Sequence, residues 1–231
     1  MAETMQLLHD IHFLLRSDIM SPFTHNLFQK LESGSFYHEG PLALQSIFCD
    51  AVLGQGLEHQ IQLDAFNFHW ENQEAVFNAA TPSKVFDNIC IEFVPPWPFN
   101  LVLCATGQRT YSRITRFILY MNYARHCLNR VRDWKTSEDK SIQTQIHHRT
   151  AKKCMIQLRM LLMHFMTSVQ TYVMHGVVHS ESAALIGKLE SAVSFDEVFA
   201  EHERTLKTIS ERLFLSEKVE LSMFVVPLSV G

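Results

Sequence analysis

The sequence predicts a mainly α-helical bundle with a small β-ribbon near residues 61–94. Three observations carry this expectation. Apolar residues recur at intervals of three and four along most of the chain, the spacing that lines one face of a helix. Only 8 Gly and 7 Pro occur among 231 residues, so the repeated tight turns of a sandwich or barrel lack their usual residues. Apolar alternation, the strand signal, is confined to two short stretches. With 47% hydrophobic and 19% charged residues, the chain has ample material for a core, and intrinsic disorder is excluded.

From the N-terminus, Leu7, Leu8, Ile11, Leu14 and Leu15 line one helix, and after Ser17-Asp18 the set Phe23, Leu27, Phe28 and Leu31 lines a second. Ser33-Gly34-Ser35 and Gly40-Pro41 interrupt the pattern. Leu42, Leu44, Ile47, Phe48, Ala51 and Val52 then predict a third helix ending near Gly54. The period next changes: Ile61, Leu63, Ala65 and Phe66/Phe68 approximate alternation, and Ile89, Ile91 and Phe93 repeat it, which predicts the ribbon. Pro95-Pro96-Trp97-Pro98 cannot be helical, because each proline fixes its own φ and pushes the preceding residue out of the α region.

Beyond this crossing, Tyr111, Ile114, Phe117, Ile118, Met121, Ala124, Leu128 and Val131 mark a helix of roughly seven turns. Its opposite face carries Arg109, Arg113 and Arg116. A polar linker, Lys135–Thr144, leads to a second long helix over Arg149–Val178, striped by Met155, Leu158, Leu162, Phe165, Val169 and Tyr172. From Met160 onward that helix is apolar on nearly every side, which predicts burial between other helices. His164, Thr167, Ser168, Gln170 and His175 interrupt it, so it is not read as a membrane span. Ser194-Phe195-Asp196-Glu197 has the form of a capping box and opens the last helix, striped by Val198, Phe199, His202, Leu206, Ile209 and Leu213.

Charge is segregated. Residues 1–107 hold 3 Lys/Arg against 12 Asp/Glu, residues 108–159 hold 12 against 3, and residues 160–231 hold 5 against 9. The basic centre suits an acidic partner if its arginines face solvent; alternatively it pairs with the acidic N-terminal third inside the fold. A net charge of −4 and the lack of any binding motif argue against nucleic acid. Cys49, Cys90, Cys104, Cys127 and Cys154 are odd in number and widely spaced, which fits reduced cytosolic thiols. Met1-Ala2-Glu3-Thr4-Met5 lacks the basic start and apolar core of a secretory signal.

The possible reactive sets are thin. His175 and His179 stand at i and i+4, the spacing for two ligands to one zinc ion, and would be the core of a zinc-dependent hydrolase. Gly176 nevertheless occupies the place of the general-base glutamate. His147-His148 diverge by about 100° on a helix and read as a solvated linker edge. His164 reads as a hydrogen-bonded interhelical histidine, the cysteines as buried, and the 10 methionines as adaptable core filling. No catalytic residue, metal site or cofactor is expected.

Phe93-Val94-Pro95-Pro96-Trp97-Pro98-Phe99-Asn100-Leu101 resembles the V-x-W-P signature of the gamma-tubulin complex proteins, in their C-terminal Grip2 domain. Tyr111-Ser112-Arg113-Ile114-Thr115-Arg116-Phe117-Ile118-Leu119 is similar to a Y-x-x-I helix of the same family. Arg159–Met174 resembles its R-x-x-L-x-H-F-x-x-S core helix, and Phe195-Asp196-Glu197-Val198 with His202, Leu206 and Ile209 resembles a further family pattern. These stretches cover about residues 88–218, and a weaker similarity reaches back to Leu7. Val178-His179-Ser180 and Leu215-Ser216-Glu217-Lys218-Val219 look most like the component-five branch.

The resemblance implies that residues 1–231 form a partial Grip2-like, gamma-tubulin-binding domain without a Grip1 domain. It further implies a non-catalytic scaffold segment of the gamma-tubulin ring complex that supports microtubule nucleation, at the centrosome, spindle pole and cytoskeleton of the cytoplasm. Gamma-tubulin and other gamma-tubulin complex components are the expected partners, with no nucleic acid and no membrane. Arg109, Arg113 and Arg116 are the expected contact residues. Missing packing partners would leave part of the Met160–Val178 helix uncovered. The rival readings are the zinc-dependent hydrolase on His175/His179 and a general helical adaptor for an acidic partner.

Overall fold

The computed structural model describes residues 2–34, 42–57, 65–77, 82–95, 97, 99–130 and 142–215. The first two expected helices are α1 (Ala2–His12) and α2 (Ser17–Ser33). α1 buries Met5, Leu8, Ile11 and, less expectedly, His9 and His12, while α2 buries Ile19, Met20, Phe23, Leu27, Phe28 and Leu31. Gly34 ends α2 at φ 70°, a left-handed conformation that glycine adopts without a Cβ clash. α3 (Ala43–Leu53) packs on α2 through Phe48, whose ring meets Phe23 edge-on.

The ribbon is present, shifted from its expected start. β1 (Phe66–Trp70) pairs antiparallel with β2 (Ile89–Phe93), in a register that sets Phe66 opposite Phe93 and Trp70 opposite Ile89. Phe66, Phe68, Trp70, Ile89, Ile91 and Phe93 all point inward, as the period of two requires. Residues 61–64 lie outside the described set. Gln45 of α3 occupies the free edge of β1: its Oε1 accepts from Phe68 N at 2.7 Å and its Nε2 donates to Phe66 O at 3.2 Å. This satisfies backbone groups that an edge strand otherwise leaves open. Two single-turn helices, α4 (Gln73–Phe77) and α5 (Pro82–Phe86), connect the strands and were not anticipated.

After a 3₁₀ turn at Phe99–Leu101 comes α6 (Ala105–Arg130), the hub of the bundle. It touches α1, α2, α5, β2, α7 (Ile142–Thr171) and α9 (Phe195–Arg212). α7 begins within the expected linker, so the backbone at His147-His148 is helical rather than a linker edge. It continues without a break into a π-helical stretch, Tyr172–His179, and then α8 (Ser180–Ser191). A π-turn widens the ladder by one residue; the sole hint in the sequence was Gly176, a glycine inside an otherwise helical pattern. α9 opens as expected, with Ser194 Oγ accepting from Glu197 N at 3.3 Å. The reciprocal bond reaches Val193 N at 3.0 Å instead of the cap's own N–H.

Burial of the Met160–Val178 segment was expected on all sides, and the structure corrects this. Val173, Val177 and Val178 are buried, whereas Leu158, Met160, Leu161, Leu162, Phe165 and Tyr172 are 41–70% exposed. α7 has α6 as its principal packing partner. Arg159 Nε donates to Leu128 O at 2.7 Å, and Gln170 Nε2 donates to Asn122 Oδ1 at 3.1 Å. Among the described residues no element covers the other apolar face. His164, expected between helices, is exposed.

Candidate partner-binding surface

Arg109, Arg113 and Arg116 lie along α6, and together with Glu71, Glu92, Gln108 and Ser112 they line a groove of about 410 Å³ beside β2. Their environments differ. Arg116 Nε donates to Ile89 O at 2.7 Å and its Nη2 pairs with Glu71. Arg113 Nη2 donates to Leu215 O, fastening the end of α9 to α6. Arg109 is exposed, and among the described residues its guanidinium has no ion-pair partner. Farther along α6, His126 Nε2 and Arg130 both meet Glu32 of α2. The basic centre of the sequence is therefore partly neutralised by the acidic N-terminal third, and Arg109 is the member of the trio whose charge faces solvent.

What holds this stretch of α6 is a buried polar node that the sequence reading missed. Tyr111, fully buried, sets its hydroxyl 2.8 Å from His9 Nε2 of α1 and 3.0 Å from His202 Nε2 of α9. A phenol has one proton and two lone pairs, and Met5 Sδ lies 3.9 Å away as a further acceptor, so Tyr111 either donates to one imidazole and accepts from the other or accepts from both and donates to the sulfur. His12 packs against Tyr111 with the rings tilted by 41° and their centroids 4.9 Å apart, and neither of its ring nitrogens has a hydrogen-bond partner among the described residues. Burial pulls the pKa of His9 and of His12 down from 6.5 to about 3, with the neighbouring His202 and His12 adding to the effect on His9, and burial pulls His202 down to about 4. The Tyr111 phenol is pushed up by burial as well. Thr115, one turn on, shares its hydroxyl proton between His12 O at 2.7 Å and Tyr111 O at 2.9 Å. Three helices far apart in sequence are thus tied at one point behind the arginine face. The signal available in the sequence was a histidine on the apolar stripe of the last helix and two beside the stripe of the first.

His175 and His179 are both exposed, with ring centroids 6.5 Å apart. They border a groove of about 530 Å³ with Asp10, Arg125 and Gln170. Burial raises the pKa of Asp10, while its hydrogen bond from Gln6 opposes that shift. Among the described residues no three His, Cys, Asp or Glu side chains converge so as to hold a metal ion, so the histidine pair has no third ligand for a hydrolytic zinc site. Cys49, Cys90, Cys104 and Cys127 are half-buried and Cys154 is exposed; none forms a disulfide. Burial raises the Cys127 thiol, the wrong direction for a nucleophile. Among the described residues no helix is long and apolar enough to cross a membrane.

Comparison with known proteins decides the family. The model of the C-terminal domain of gamma-tubulin complex components matches residues 1–226. The chain belongs to the gamma-tubulin complex component family. Gamma-tubulin complex component 5 of Mus musculus is 23% identical over 244 residues, taking in 95% of this chain and 23% of that protein. Gamma-tubulin complex component 5 of Macaca fascicularis is 22% identical over 243 residues, with 95% and 32% covered. The chain thus spans about a quarter to a third of the length of the curated relatives it matches, and the likeness to the component-five branch holds.

The residues that carried the gamma-tubulin complex component resemblance divide between interior and surface: those of α6 and α9 are largely buried, whereas Leu162, Phe165 and Tyr172 of the α7 motif are 41–60% exposed. Phe93 and Phe99, on either side of the proline crossing, pack edge-on at 6.1 Å, while Trp97 between them is 80% exposed. Tyr111 and His202 form the node, and Arg159 binds a carbonyl of α6. The buried motif positions hold the bundle together, and Arg109, Trp97 and the outer face of α7 are among the exposed parts of the described residues.

Proposed function

We propose that this chain is a non-catalytic scaffold segment that binds gamma-tubulin and, within the gamma-tubulin ring complex, supports microtubule nucleation from minus ends alongside other gamma-tubulin complex components. The observation that carries this reading is the family match over residues 1–226 of 231. The helical architecture agrees with it. The sites of action implied are the cytoplasm, the centrosome or another microtubule organizing centre, and the spindle pole. Arg109 is the proposed leading electrostatic contact. Arg113 and Arg116 shape the groove and hold β2 and the end of α9 in place around it.

Co-precipitation of purified gamma-tubulin with the purified chain tests this, run at low ionic strength and repeated as salt rises. Retention that weakens with salt, and weakens further in Arg109→Glu, is the expected result. No association at low ionic strength removes the reading. Association that is indifferent to salt and to charge reversal at Arg109, Arg113 and Arg116 together removes the electrostatic assignment. The zinc-hydrolase and general-adaptor readings have no specific observation in their favour.

A further inference from the structure

Leu158, Leu161 and Phe165 of α7 and Tyr172, the next residue after it, recur at intervals of three, four and seven. They therefore share one side of the helix, and each is 48–70% exposed. Arg159 and Gln170, which bond to Leu128 and Asn122 of α6, lie on the opposite side, and Val169 on the flank between packs on the core. The end of α9 stands at the foot of this stripe, where Tyr172 Oη donates to Arg212 O at 3.4 Å. There the chain is turned at a fixed point. Phe214 N donates to Glu211 O at 3.1 Å, Leu215 N donates to Ser210 O at 2.8 Å, and Phe214 takes φ 58°. This is the Schellman turn with phenylalanine in the place usual for glycine, a conformation uncommon for a bulky residue. Arg113 Nη2, donating to Leu215 O, holds the turn against α6.

We propose that residues 216–231 of the same chain, which follow Leu215 at the foot of the stripe, lie along it and cover it. Three features select this occupant. The first is composition. Seven of the eleven residues from Leu221 to Gly231 are Leu, Met, Phe or Val, and none is charged. The helix side they would cover belongs to a stretch, Met160 to Val178, that likewise has no Asp, Glu, Lys or Arg. Residues 131–141, which adjoin the start of α7, instead hold six charged residues. The second is reach. Tyr172 lies about 21 Å along the helix from Leu158 at about 1.5 Å per residue, a span that about seven residues of extended chain cover at ~3.3 Å each. Sixteen residues follow Leu215, enough for the apolar run to lie over the stripe with Glu217, Lys218 and Glu220 left in the connection.

The third feature is the tether. Four side chains are too few for a stable contact between separate molecules, which buries about 1,200 Å² or more. Leu221 is joined to Leu215 through five residues, so the segment meets its seat at an effective concentration on the order of millimolar, and a small seat suffices. The cover has a consequence for association. A protein that binds this side of α7 must displace the segment, and its affinity falls by the fraction of chains in which the stripe is open. The placement does not depend on gamma-tubulin binding.

Leu161, 70% exposed, marks the middle of the stripe, and Leu161→Cys in the whole 231-residue chain puts a reporter thiol there. Its rate of reaction with a maleimide, read by peptide mass spectrometry, tests the placement. The same chain carrying Phe224→Glu and Val225→Glu serves as the released form, with circular dichroism to verify that both fold. With the segment seated, position 161 should label at least about tenfold more slowly in the first chain than in the second, by the same factor at low and at high protein concentration. Equal rates in the two chains overturn the proposal. Protection that fades on dilution overturns it too and assigns the cover to a second copy. Urea denaturation gives an independent reading. Leu161→Glu and Phe224→Glu should each lower the midpoint, and the double variant should lower it by less than the sum, since both remove one contact. A midpoint unchanged by Leu161→Glu, or strictly additive shifts, would also refute the placement.

Discussion

Acid should unfold this bundle well above the pH at which its carboxylates titrate, because His9, His12 and His202 are buried neutral. A base whose folded pKa lies below its unfolded value binds more protons when unfolded, so stability is full above pH 6.5 and falls as pH drops toward the folded values of about 3, 3 and 4. Each such histidine costs about 1.4 kcal/mol per pH unit once pH is clearly below 6.5. Three together remove about 2.5 kcal/mol at pH 6 and about 6 kcal/mol at pH 5, comparable with the whole stability of a typical domain. Asp18 and Glu201, whose pKa values are held down mainly by hydrogen bonds from Arg16 and Lys188, contribute stability present above 3.8 and 4.5 and lost only below. The window from pH 6.5 to 5 therefore belongs to the node. Urea denaturation followed by far-UV circular dichroism at half-unit pH steps should give a slope near 4 kcal/mol per pH unit around pH 5. His12→Leu removes one titrating group whose ring nitrogens are unpartnered, and the slope should fall by about a third. Equal stability at pH 7 and pH 5, or an unchanged slope in His12→Leu, would refute the reasoning.

Tyr111→Phe deletes the hydroxyl shared by His9 and His202, leaves two buried imidazole nitrogens unpaired, and should lower stability by about 3 kcal/mol in urea denaturation at pH 7.5. Arg116→Ala should cost about 1–3 kcal/mol because Ile89 O and Glu71 lose a charged donor, whereas exposed Arg109→Ala should stay within about 0.5 kcal/mol in the same assay. Gly107 sits inside α6, where an added Cβ would meet His202, Leu103 and Leu206 at 3.7 Å, an ordinary contact. Gly107→Ala should therefore stabilise by about 0.5–1 kcal/mol, read as a higher thermal midpoint.

Most of the helices were legible because burial of one face forces a repeat of three and four, and α1, α2, α3, α6 and α9 each bury a single face. The ribbon was legible in outline, since Ile89, Ile91 and Phe93 alternate. Its first strand was blurred because Phe66, Phe68 and Trp70, the residues that pair, adjoin another apolar alternation at Ile61 and Leu63. α4 and α5, at five residues each, are shorter than two helical turns and leave no periodic trace. The π stretch is a difference of one residue per turn, which apolar spacing does not resolve.

The functional surface was harder to read because charge and apolarity in a sequence do not say what faces them. Arg113 and Arg116 share a helix face with Arg109, yet both side chains are bound within the fold and Arg109 is not, a distinction set by Glu71, Ile89 and Leu215, which lie 27–102 residues away. The same ambiguity governs α7. An all-round apolar helix has one sequence pattern whether its second face meets its own bundle or another molecule, since both interfaces exclude water by the same means. Segregation of charge offers the better clue: the stretch from Met160 to Val178 lacks any Asp, Glu, Lys or Arg, although six of its large apolar or aromatic neighbours and members face solvent in the chain alone. Contiguous exposed apolar surface of this kind is the usual mark of an interaction site or of a liability to associate, which the sequence pattern does not tell apart.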